Sequence, residues 1–188
     1  MPPRKVNLNG LRQLKQYRAW INPEAIEKDI IRALEREGRR LIQLAYASRG
    51  FTNRTMNLKD SYCYGIFIGN KLFSSGFLTD TPDATEDNRG WNGRDEAIAF
   101  LERVGDKIKD KSRISLVIGV GLFYGGILEA GEPPLHAKYR VLANIETDLQ
   151  ELRTYGINGY KYNVKYNFSK TARIDFDGPY TDMLNKND

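Results

Sequence analysis

Cysteine and histidine can pair as nucleophile and base, and this 188-residue chain holds one of each, Cys63 and His136. The pair works only if the fold brings the two within hydrogen-bond reach. Cys63 lies between Tyr62 and Tyr64 in an apolar run. Such a setting buries a thiol and leaves it inert. Four carboxylates, Asp80, Asp83, Glu86 and Asp87, have the right chemistry for a hard cation such as Mg²⁺ or Ca²⁺. Their spacing departs from an EF-hand loop, so they read as a solvated acidic loop. Gly119, Gly121 and Gly125 follow an apolar stretch in the manner of a dinucleotide fingerprint. The run has one spacer residue too many and no βαβ unit around it, so it reads as a strand ending in a glycine turn. No acid, base and nucleophile converge in the sequence. The expectation is a binding or assembly protein, not an enzyme, with no cofactor and no bound metal.

Composition narrows the class further. Lysine and arginine number 29 against 24 acidic residues, a net charge of +5 with a pI near 9.2. That is mildly basic, below the density of a protein that wraps DNA. One cysteine excludes an intramolecular disulfide and fits a reducing compartment. The start of the chain has no apolar signal-peptide core. The longest uncharged stretch, residues 114–128, is broken by four glycines and is shorter than the roughly 20 apolar residues of a membrane span. The reading is a soluble protein without a membrane partner.

Residues 22–48 spell a long amphipathic helix. Asn22 suits the N-cap and Pro23 the first turn, while Gly50 suits the position after its end. Ile26, Ile30, Ile31, Leu34, Leu41, Ile42 and Ala45 form its apolar stripe. Gly38 marks a close contact or a bend. Residues 52–62 read as a loop with a short helical turn. Residues 62–68 and 71–78 read as a β-hairpin around Gly69 and Asn70. A polar loop, residues 79–94, leads to a second helix over 95–109, with Ile98, Leu101, Val104 and Ile108 as its inner face. Residues 113–121 are a central strand. Leu142, Ile145, Leu149 and Leu152 mark the seam of a third helix that ends before Gly156. Tyr160, Tyr162, Val164, Tyr166 and Phe168 then alternate with polar residues, the pattern of a strand with one apolar face, and residues 175–188 read as an extended end.

The fold class expected is α+β, a small, mainly antiparallel sheet packed with two or three helices and flanked by extended termini. Residues 1–21 form a basic arm, 22–156 one domain with the polar loop inserted at 79–94, and 157–188 a strand and tail. Arg4, Lys5, Arg12, Lys15, Arg18 and Trp20 in the arm, with Tyr160, Tyr162, Tyr166 and Phe168 in the tail, are the candidate partner contacts. Arms and edge strands bind by threading or by strand addition. Deleting residues 160–188 is expected to leave a folded monomer. An alternative reading uses the arm and the Lys/Tyr tail to bind nucleic acid through phosphate contacts and base stacking.

Two short segments carry a family likeness. After the long helix, Thr55, Leu58, Lys59 and Ser61 fit a TG-x-L-(R/K)-x-S turn, with Met56 in the place of its glycine. After the central strand, Tyr124, Gly125, Ile127, Leu128, Glu129 and Gly131 fit Y-(A/G)-x-(Y/I)-(V/L)-E-x-G. In this order the segments resemble the tail-completion, or head–tail joining, proteins of tailed bacteriophages. The resemblance implies a structural virion protein, made in the host bacterial cytoplasm. It implies a homo-oligomeric ring in the neck between portal and tail, with portal or adaptor and tail proteins as neighbours. Non-specific DNA contact would occur in the channel. The motif residues would act structurally: Leu58 seats the turn, Tyr124, Ile127 and Leu128 close the core, Glu129 pairs locally and Gly131 permits a turn. Methionine in the glycine position is expected to change the first turn.

Overall fold

A computed structural model describes residues 23–49, 56–82, 92–110, 113–122, 125, 128, 141–142, 145–157, 161–167 and 171–177, with the backbone alone for 23–26, 161–167 and 171–177. Among the described residues, four helices, α1 (Pro23–Ala47), α2 (Asn57–Asp60), α3 (Gly93–Gly105) and α4 (Glu146–Tyr155), accompany five strands. The strands are β1 (Tyr62–Ile68), β2 (Lys71–Phe77), β3 (Ile114–Val120), β4 (Lys161–Asn167) and β5 (Thr171–Asp177). They form one sheet in the order β2-β1-β3-β5-β4, antiparallel at every pairing. This is the expected α+β architecture, with β3 at the centre.

Helix α1 lies across one face of β1 and β3. Its stripe of Ile30, Ile31, Leu34, Leu41, Ile42 and Ala45 is buried against Tyr62, Tyr64, Ile66, Ile114, Leu116, Ile118 and Val120. Removing apolar area from water at roughly 25 cal/mol per Å² makes this layer the main source of stability. Of the two readings of Gly38, the close contact holds. A Cβ there would lie 2.7 Å from Cγ of Tyr64, closer than any side chain tolerates. Of the expected third-helix seam, Leu149 and Leu152 lie on α4 while Leu142 and Ile145 precede it, and all four join the same core. Arg40 ties α1 to α4, reaching Glu37 at 2.6 Å and Asp148 at 2.7 Å. These carboxylates hold its pKa above the ordinary value, Glu37 first.

Helix α3 covers the other face, where Cys63, Phe67 and Val117 meet Ala97, Phe100, Leu101 and Ile108. Its N-cap is Asn92, whose Oδ1 accepts from the backbone of Arg94 at 2.9 Å and Asp95 at 3.3 Å. The helix begins two residues before the expected start and ends at Gly105. Its inner face is also rotated from the expectation. Ile98 is 41% exposed, while Ala97 and Phe100 face the sheet. Ile108 is buried, but it lies beyond the helix.

The hairpin turns at Gly69 and Asn70 as expected, with Gly69 at φ 61°. Ile66 pairs with Ser74 and Phe67 with Leu72, so Phe73 is the extra residue of a bulge in edge strand β2. It is 59% exposed.

The expected extended end is corrected. Residues 175–177 belong to β5, which begins at Thr171 and is inserted between β3 and β4. Its register with β3 sets Leu116 opposite Ile174 and Ile118 opposite Ala172. β5 thus supplies the backbone hydrogen-bond partner of the central strand. Deletion of residues 160–188 would remove that partner, so the truncation does not isolate a detachable tail.

Candidate functional site

The first of the two likeness-bearing segments lies where α1 gives way to the sheet. Met56 has φ 60° and ψ −6°, the left-handed region that glycine enters without steric cost. Among the described residues it is the one non-glycine residue at positive φ. Methionine here holds a conformation that glycine adopts freely. Leu58 follows and is buried in the α1 core. Ser61 Oγ donates to the carbonyl of Leu58 at 2.8 Å, closing the turn. The carbonyl of Ser61 accepts from Gly121 N at 2.9 Å, which joins the turn to the end of β3. Lys59 stays partly exposed, its Nζ 6.0 Å from the Tyr46 ring. The Arg49 guanidinium lies 3.8 Å from the centre of that ring, and Tyr46 meets Tyr62 edge-on at 5.7 Å.

The second segment enters the same corner. Gly125 N donates to Leu122 O at 3.1 Å. A Cβ on Gly125 would come 2.9 Å from Val120 Cγ1 and 3.6 Å from Leu58 Cδ1. The glycine of one segment thus lies against the leucine of the other. Leu128 is half-buried against the α1 core. Thr55, Tyr124, Ile127, Glu129 and Gly131 lie outside the described residues, as do Arg4, Lys5, Arg12, Lys15, Arg18, Trp20, Tyr160 and Phe168.

Sequence reasoning missed a polar clamp built on the first segment. Asn57 and Asp60 are buried although both are polar. Asn57 Oδ1 accepts from Gly93 N at 3.1 Å, and Asp60 Oδ1 accepts from Thr79 Oγ1 at 3.3 Å. Arg94 Nη2 donates to Thr79 O at 2.6 Å while its guanidinium stacks 4.0 Å from the centre of the Phe77 ring. Both ends of the polar loop are therefore anchored on α2. Buried polar groups are stable only when paired, and these pairings join residues far apart in sequence, which periodicity does not register.

The chemistry-bearing candidates resolve differently. Cys63 is fully buried, its Sγ 3.6 Å from Gly119 O. Burial pushes the thiol pKa well above its usual value, so it is a poor nucleophile. Gly121 packs directly on the backbone of Ala97 and Glu96, leaving no room there even for a Cβ. This close helix contact accounts for one glycine of the apparent fingerprint. Asp80 is exposed, whereas Asp83, Glu86, Asp87 and His136 are outside the described residues. Among the described residues, no group of three His, Cys, Asp or Glu side chains could hold a metal ion.

Tyr162 and Tyr166 occupy β4 opposite Phe176 and Ala172, and Val164 sits opposite Ile174. Through Ile174 and Ala172 these positions share the sheet face of Leu116 and Ile118. Lys161, Asn163 and Lys165 pair with Asp177, Asp175 and Arg173 on the opposite face. The expected separation of tyrosines from lysines is thus present in the register.

No protein-family model, curated protein or solved structure matches the chain. Among the described residues, no helix is long and apolar enough to cross a membrane.

Proposed function

We propose that this chain is a structural protein of a tailed-phage virion, forming a ring in the neck that joins head to tail. The observation that carries this reading is the backbone of Met56. In the likeness-bearing turn, the glycine position holds a methionine, and that methionine adopts φ 60°. An L-residue in the left-handed region costs about 1–2 kcal/mol, so the conformation is imposed by the surroundings of the turn. The meeting of Leu58 with Gly125 supports the same reading, since it brings the two segments into one corner of the core.

In this reading the protein works by shape and contact, with no chemical step. A ring repeats one heterologous contact until rotation closes it. The neighbours would be portal or adaptor proteins on one side and tail proteins on the other, with the packaged DNA passing through the centre. The test is quantitative mass spectrometry of gradient-purified particles. About six or twelve copies per particle are expected, because closed cyclic symmetry fixes such counts. Absence of the chain from intact particles would refute the proposal.

A further inference from the structure

The solvent side of α1 carries an unbalanced row of cations. Lys28, Arg32, Arg36 and Arg39 are all exposed and follow one another at steps of four, four and three residues. That spacing aligns them on one helix face. At 1.5 Å per residue the row spans about 16 Å. Asp29 is the exposed acid on this stretch of the helix, whereas Glu27 and Glu35 are half-buried and Glu35 accepts from Ser74 Oγ at 2.8 Å. Arg40, one position round the helix, is occupied by Glu37 and Asp148. Arg39 also hydrogen-bonds the Tyr64 side chain. Among the described residues, no carboxylate forms an ion pair with Lys28, Arg32 or Arg36.

An ordinary solvated helix mixes its signs. The two other long helices do so. The exposed charges at the end of α3 and just beyond it are Glu102, Arg103, Asp106 and Lys107, and those of α4 include Glu151 and Arg153. The α1 row departs from that pattern and is continued by Gln43, which is polar and exposed. It offers no aromatic or large aliphatic anchor of the kind that holds a protein partner. The apolar side of α1 is buried in the core, so the helix has no second face to sink into a lipid surface. A straight cationic row without anchors complements a regular polyanion, and three arginines of the four favour forked contacts with phosphate oxygens.

We propose that the exposed row Lys28, Arg32, Arg36 and Arg39 of α1 is a contact surface for the phosphate backbone of double-stranded DNA, without sequence readout. The site differs from the N-terminal arm and the C-terminal tyrosines. It does not depend on the virion role, since it would serve a neck protein or a DNA-binding accessory equally.

The test is fluorescence anisotropy of a labelled random-sequence duplex, titrated with the full-length chain at several salt concentrations. Each phosphate neutralised contributes about −0.9 to the slope of log K against log salt. The triple variant Lys28→Gln, Arg32→Gln, Arg36→Gln should keep the wild-type circular dichroism and lose about 2.7 from that slope. Between about 50 and 200 mM salt, the wild-type affinity should then fall about 40-fold more than that of the variant. Single variants at Arg32 and Arg36 should each lower the slope by about 0.9, which keeps the test valid if the triple variant misfolds. Three results would overturn the proposal. One is no binding at about 50 mM salt. Another is an unchanged slope in the helix variants with a lowered slope in an Arg12, Lys15, Arg18 to glutamine variant. The last is binding to anionic lipid vesicles that duplex DNA does not compete away.

Discussion

Helices α1 and α3 cover opposite faces of one sheet, yet only α1 has the inner face its periodicity predicts. In α1 the large aliphatic residues occupy a wide arc, and every described member of the predicted stripe is buried. In α3 the apolar residues Ala97, Ile98, Phe100, Leu101 and Val104 spread around more of the helix. Two inner faces are then compatible with the pattern. The small residues decide between them. Gly93 and Ala97 lie directly against other backbone, at Asn57 and Gly121, so the helix must turn its small side inward and leave Ile98 in water. Periodicity counts apolar residues, whereas close packing selects by size.

The comparison can be broken most directly in the core. Leu34→Ala on α1 and Phe100→Ala on α3 should each cost about 2–5 kcal/mol of unfolding free energy in urea titration. Ile98→Ala, by contrast, should stay within about 0.5 kcal/mol of wild type. Equal losses at Phe100 and Ile98 would restore the face read from periodicity.

A smaller effect comes from the sheet side of α3. The Cys63 thiol has its pKa raised by burial, so the unfolded chain releases the proton first as pH rises. Stability should therefore be constant below the unfolded thiol pKa of about 8.5 and decline above it, by at most about 1.4 kcal/mol per pH unit. Cys63→Ala should abolish that part of the decline. A native chain that reacts with a thiol reagent as fast as the unfolded one would contradict the burial.

On the α1 side, Gly38→Ala should destabilise by about 1–2 kcal/mol, because overpacking against Tyr64 exceeds the gain in helix propensity. The least effect is expected at Met56→Gly. Relief of the left-handed strain, partly offset by the freedom glycine adds to the unfolded chain, should stabilise by about 0.5–1 kcal/mol. Destabilisation in the same assay would mean that the methionine side chain contributes more than its backbone costs.

Much of the fold was legible because its signals are local. The α1 stripe, the Gly69–Asn70 hairpin, the mostly apolar β3 and the Leu149 and Leu152 seam of α4 all report their own structure. Strand β5 carries the same alternation as β4, with Ala172, Ile174 and Phe176 between Thr171, Arg173, Asp175 and Asp177, so the strand itself was legible and was missed. What periodicity does not give is its place beside β3, some 50 residues earlier in the chain. The clamp of Asn57 and Asp60 was illegible for the same reason, since its partners Gly93 and Thr79 arrive from elsewhere. The row of cations on α1 was present in the sequence throughout. It became a surface only once the buried side of the helix fixed which side was left outside.

The sheet has a polarity that constrains how copies can meet. Among the described residues, five strands that alternate in direction leave both borders, β2 and β4, running the same way. A dyad joining β2 to β2, or β4 to β4, would make an antiparallel seam. A head-to-tail succession continuing the sheet would instead set β4 of one copy parallel to β2 of the next. The parity of the strand count therefore links the symmetry of assembly to an observable, the direction of the seam between subunits.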